Sequence, residues 1–92
     1  MVSLSAPGGR PSPKEIAASL REHLADLSDG KLEAGSIVET AHLFDYGYVD
    51  SLSAVSFLAH VEDRYAVRID DVDLVERYYT LEAIARHIHE NL

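Results

Sequence analysis

The chain has 92 residues, with sixteen Asp and Glu against eight Lys and Arg, a formal charge of -8 and no cysteine. That length makes one small domain, without disulfides or thiolate metal sites to staple it, and the acidic balance disfavours nucleic acid and anionic membrane while favouring basic protein partners. No apolar run reaches membrane-spanning length and Met1 to Arg10 has no signal-peptide h-region, so a soluble, cytoplasmic, monomeric protein is the expectation.

Residues 1–11 are small and turn-prone without period, and read as a disordered tail ahead of a domain at 12–92. Ser12-Pro13-Lys14-Glu15 is a capping box with proline at its favoured first helical position. Ile16, Leu20, Leu24 and Leu27 then recur at helical spacing, which predicts a helix over about 13–27. His23 lies at the edge of that arc and reads as a half-buried ring covering the core, not as a ligand.

Ser28 to Val49 is a long connection broken by Gly30, Gly35 and Gly47. A loop of this length in a small domain is functional or is pinned by its own apolar residues. Ile37, Val38, Leu43 and Phe44 are placed to pin it. Tyr46 and Tyr48 either pack as well or flank a site at Ser51, with packing expected for at least one of them.

The chain is organised around Gly47-Tyr48-Val49-Asp50-Ser51-Leu52. Asp50 is a strong N-cap, because its carboxylate accepts from the free backbone N–H groups of a first helical turn. Ser51 then falls at the first helical position, with its hydroxyl exposed at the positive end of the helix dipole. That is a favourable place for a phosphate ester, a site to be modified and not one that reacts.

A second helix is predicted over about 51–65. Ala54, Phe57, Leu58, Val61 and Tyr65 form its core stripe. Leu52, Val55 and Ala59 lie on a second face, with Ser56, Glu62 and Asp63 around them. That strip begins beside Ser51 and is either a docking surface or a sign that the helix is buried on two sides. The pattern leaves both readings open.

Val67-Arg68-Ile69 reads as an extended link. Asp70 to Arg77 has room for two turns, with Val72, Leu74 and Val75 as the apolar part. Thr80 is an N-cap for a last helix over about 81–91, striped by Leu81, Ile84, Ala85, Ile88 and Leu92. The sum is an all-α fold, a small four-helix bundle with three longer helices and one short.

Three chemical readings are set aside. Asp71-x-Asp73 followed by Glu82 has some of the spacing of a calcium loop, but Val75 replaces a ligand and Glu76 stands where glycine is required. His87 and His89 project to nearly opposite sides of a helix and cannot share a metal. Ser51 lacks a nucleophile elbow, since Gly-x-Ser-x-Gly is absent. No catalytic residue and no metal site is expected, and the chain does not read as an enzyme.

Leu43-Phe44-Asp45 to Gly47, then Val49-Asp50-Ser51-Leu52 with Glu62 and Tyr65 downstream, resembles the attachment region of acyl carrier proteins. The resemblance takes in Val67-x-Ile69, Asp71-x-Asp73-Leu74-Val75 and Thr80-Leu81-Glu82-Ala83-Ile84, and covers roughly residues 13–91. It implies an acyl-carrier-like bundle in which Ser51, the serine of Asp-Ser-Leu, carries covalent 4'-phosphopantetheine. The group would be attached by a separate magnesium-dependent phosphopantetheinyl transferase and would hold an acyl or aminoacyl cargo as a thioester. The partners implied are that transferase, an acyl- or aminoacyl-loading enzyme and downstream pathway enzymes. They would read Asp50, Leu52, Val55, Ser56, Ala59, Glu62 and Asp63.

The chain departs from the pattern it resembles in two places. Fatty-acid carriers usually have more carboxylates along the early second helix, where this chain has Ser53 and Ser56. Peptidyl carriers typically have a glycine pair where this chain has Tyr48 and Val49. The lead-in Leu-Phe-Asp-x-Gly-x-x-Asp-Ser looks more like free-standing D-alanyl carriers, or discrete carriers of polyketide and amino-acid-tailoring pathways. A discrete carrier is therefore the expectation. The alternative is a small acidic helical interaction module without a prosthetic group, in which Asp50-Ser51 is only a helix cap.

Overall fold

The computed structural model describes residues 11–92. The expected tail at 1–11 lies outside the described residues except for Pro11, whose carbonyl oxygen lies 3.2 Å from Nδ1 of His89. Four α-helices make up the described fold: α1 Pro13–Leu27, α2 Ser51–Tyr65, α3 Asp71–Glu76 and α4 Leu81–Glu90. No strand occurs among the described residues, so the expected all-α bundle of three longer helices and one short is the observed one. No described helix is long and apolar enough to cross a membrane.

Local chemistry starts each long helix. In α1 the Ser12 Oγ accepts from the Glu15 N–H at 3.2 Å, and the Glu15 carboxylate accepts from the Ser12 N–H at 2.8 Å. In α4 the Thr80 Oγ1 accepts from the Ala83 N–H at 3.1 Å. The two helices then pack chiefly on each other. Ile16, Ala17, Leu20 and Leu24 of α1 and Leu81, Ile84, Ala85 and Ile88 of α4 are all buried. Leu27 and Leu92, the last members of the two stripes, pack against the core half-buried, as helix ends do.

Helix α2 closes the core with Ala54, Phe57 and Val61, while Leu58 and Tyr65 pack half-buried at its edge. It ends at Ala66, which takes a left-handed conformation (φ 57°) as the C-cap. Val67 and Ile69 of the following link are buried.

One expectation about apolar residues is corrected. Val38 does not pin the long connection; it is 49 % exposed. Ile37 beside it is extended and buried, and neighbouring side chains of an extended segment point to opposite sides. Ile37, Ala41, Leu43 and Val49 do the pinning, with Phe44 packed against them. In α3 only Leu74 is buried, and Val72 and Val75 are 59 % and 50 % exposed. Positions three apart share one helix face, so Val72 and Val75 lie together and Leu74 lies away from them. A two-turn helix cannot bury both sides against one core.

The connection from Ser28 to Asp50 is tied down by backbone bonds as well as by burial. The Leu43 N–H donates to the Tyr79 carbonyl at 2.7 Å, and the Glu82 N–H donates to the Glu39 carbonyl at 3.0 Å. Both bonds run to the segment around the start of α4. They hold the loop across the end of the bundle and so fix where α2 begins.

Candidate functional site at the start of α2

The turn before α2 folds back on the Leu43 carbonyl, which accepts from the N–H groups of Tyr48 at 2.9 Å and Val49 at 3.2 Å. Gly47 supplies the left-handed backbone (φ 74°) that this reversal needs. Val49 is buried and anchors the turn from below. The Tyr48 hydroxyl accepts from the Val38 N–H at 3.1 Å, so Tyr48 is the tyrosine that packs, while Tyr46 is exposed.

Asp50 comes next, in extended conformation, as the N-cap. One carboxylate oxygen accepts from the N–H groups of Leu52 at 3.0 Å and Ser53 at 2.8 Å. The Ser53 hydroxyl in turn accepts from the Asp50 N–H at 2.9 Å. Serine replaces the Glu or Gln of the usual capping box, which is why sequence reasoning found the cap but not its reciprocal half. The backbone N–H of Ser53, the Ser53 hydroxyl and the N–H of Leu52 together hold the Asp50 carboxyl below the ordinary carboxylate range. Asp50 is therefore ionised at neutral pH.

Ser51 occupies the first position of α2 and is exposed. With Asp50 accepting the next two N–H groups, the Ser51 side chain has no part in the cap. An ester formed there would displace no core group and would stand at the positive end of a fifteen-residue helix. The residues present thus fit a covalently attached phosphate group.

Ser51 also belongs to the wall of a groove of about 350 Å³ between α2 and α3, lined further by Phe44, Ala54, Val55, Asp71, Val72, Val75 and Glu76. The α3 residues were not foreseen at the site. Their signal was the pair Val72 and Val75, which the sequence marks as apolar without saying what they face. The groove is apolar along its length, with two carboxylates on its α3 side.

The remaining residues expected at the site are all exposed. Leu52 is 82 % and Val55 64 % exposed, and Asp50, Ser56, Ala59, Glu62 and Asp63 are open to solvent. At 3.6 residues per turn those on α2 fall within about a third of the helix circumference. Helix α2 is thus covered on one side only, and the reading in which it is buried on two sides is set aside. Only Val55 of this set lines the groove.

The two histidines of α4 stand apart. His87 stacks on Tyr78 at 4.4 Å between ring centroids, whereas His89 faces Pro11. The Asp71 carboxylate accepts from the neighbouring Val72 N–H at 2.9 Å, a local turn within α3.

No curated protein matches the chain. The phosphopantetheine attachment site family matches residues 18–88, more than three quarters of the sequence and including the whole start of α2. Domains of that family carry 4'-phosphopantetheine covalently on a serine and act as carriers, not as catalysts. The all-helical fold, the capped and exposed start of α2 and this match agree, and the chain belongs to the phosphopantetheine attachment site family, the family of acyl-carrier-like domains.

Proposed function

We propose that Ser51 is the residue that carries 4'-phosphopantetheine, on a single carrier domain spanning residues 12–92, and that the protein is a discrete carrier in a specialised biosynthetic pathway. The observation that carries this reading is the exposed Ser51 at the first position of α2, beside a fully engaged Asp50 cap and within the matched span. When bound, the group supplies a terminal thiol that holds an acyl or aminoacyl cargo as a thioester.

The chain's own residues do the positioning. Asp50 and Ser53 hold the first turn rigid, so the Ser51 hydroxyl is presented to a transferase at a defined place. The positive end of α2 offsets the negative charge of a phosphodiester, which would otherwise meet the Asp50 carboxylate next to it. Phosphopantetheinyl transferase, a loading enzyme and downstream enzymes would approach over Asp50, Leu52, Val55, Ser56, Ala59, Glu62 and Asp63. Exposed apolar contact at Leu52 and Val55, rimmed by Glu62 and Asp63, suits partners with a basic edge around an apolar patch. The small residues Ser53 and Ser56 near the start of α2, where fatty-acid carriers usually place carboxylates, favour a dedicated partner set.

The test is intact mass after incubation with a phosphopantetheinyl transferase, magnesium and coenzyme A. The wild type should gain the mass of one phosphopantetheine, and Ser51→Ala should gain none while keeping its helicity. A Ser51→Ala protein that is still modified would move the site elsewhere. A wild type that is never modified would leave the chain as an interaction module.

A further inference from the structure

Away from Ser51, α1 and α2 meet at two histidines. His23 of α1 and His60 of α2 stack nearly parallel, with ring centroids 3.6 Å apart and planes 13° from each other. The His23 ring also lies 6.1 Å from that of Phe57, which is fully buried. Nε2 of His23 is buried and has no hydrogen-bond partner among the described residues. The charged groups around the pair are Glu22 and Asp26 from α1 and Arg64 from α2, which with Ser19 line the same shallow cavity.

Parallel rings at this separation carry their in-plane lone pairs side by side, so the two do not converge on one metal ion. What the arrangement does favour is neutrality. A neutral imidazole offers a flat, weakly polar face to its neighbour. A protonated one must donate from both nitrogens, and Nε2 of His23 has no acceptor to donate to. A second proton on His60 would place two cations face to face. Burial is the main cause that pushes the His23 imidazole below its ordinary value, His60 adds to it, and Asp26 pulls the other way.

We infer that the stacked His23–His60 pair is an acid-sensitive latch between α1 and α2, closed while both rings are neutral and released when they take up protons. In the unfolded chain His23 would bind its proton near the ordinary 6.5, before the folded chain does. Stability from the neutral stack is therefore fully present above about pH 6.5 and is lost as pH falls through the lower, folded value. Release uncovers the edge of Phe57 and loosens the half of α2 remote from Ser51. His60 and Ser51 are nine residues apart, roughly 13–14 Å along the helix.

The experiment tracks the histidine ring signals of the full chain by NMR from about pH 8 to pH 5, with urea midpoints at both ends of the neutral-to-acid window. His23→Gln and His60→Gln assign the signals. The expected results are a His23 titration below that of a free imidazole and a wild-type urea midpoint that falls on acidification. His23→Gln should lose most of that fall, and His60→Gln a smaller part of it, since burial is the larger cause and His60 the lesser. Asp26→Asn, an exposed change that spares the stack, should move the His23 titration further down. A His23 that titrates at or above the free-imidazole value would overturn the latch, as would a midpoint that falls equally in wild type and both Gln variants.

Discussion

The two faces of α2 carry apolar residues in similar number and meet opposite fates. Ala54, Phe57 and Val61 are sealed in the core, whereas Leu52, Val55 and Ala59 stand in water on the other side of the same helix. The first set contributes to folding through area removed from water. The second contributes little of that kind, and its apolar area is continuous with a groove that α3 leaves open beside Ser51. An exposed strip that folding does not need is the kind of surface other proteins cover. The difference teaches that helical periodicity identifies apolar faces without saying which of them the chain itself will bury.

The largest effect should come from the sealed face. Phe57→Ala empties a fully buried site and should cost about 3–5 kcal/mol, which approaches the whole stability of a marginal small domain. A urea midpoint near that of the wild type would show the two faces to be alike. On the open face, Glu62→Lys combined with Asp63→Lys should change stability by about 1 kcal/mol or less. The same double variant should slow loading by the cognate enzyme at low salt, and the wild-type rate should fall towards it as salt is added. Equal loading rates that ignore ionic strength would leave the open strip without a docking role.

Smaller still is the expected stability cost of Leu52→Ser or Val55→Ser, each within about 0.5 kcal/mol because both side chains are mostly exposed. Their measurable effect should be on the loading rate, which separates contact with a partner from support of the fold. The last test concerns the cap that both faces share. Because the folded Asp50 carboxyl lies below its ordinary value, its contribution is fully present above that value and is lost as pH falls through the depressed one. Helix α2 should fray on acidification well below the window in which the histidine pair responds, and Asp50→Asn should remove that late acid step. Amide exchange of Leu52 and Ser53 against pH would read it.

Much of the fold is legible residue by residue in the chain itself. The starts of α1, α2 and α4 are written in Ser12, Asp50 and Thr80, each of which hydrogen-bonds backbone groups two or three residues away. Such bonds depend on the local chain alone, so local sequence predicts them. The core stripes of α1 and α4 are legible for the same reason, since each is one continuous face with a single neighbour to meet. The position of Ser51 at the exposed start of a capped helix is likewise legible from Asp50 and the apolar period behind it.

The tertiary structure alone decided three things. It left Val38, Val72 and Val75 in solvent, although their residue type suits a core, because their backbone directions point away from it. It turned α3 so that Val72, Val75, Asp71 and Glu76 form a wall with Ser51 from twenty or more residues away. It also paired His23 with His60 across two helices, which no spacing within either helix could announce. The sequence by itself determined the helices, their caps and the presented serine, since these are set by bonds spanning a few residues. Which surfaces close on each other is set by contacts between distant segments competing for one small core, and only the folded chain resolves that competition.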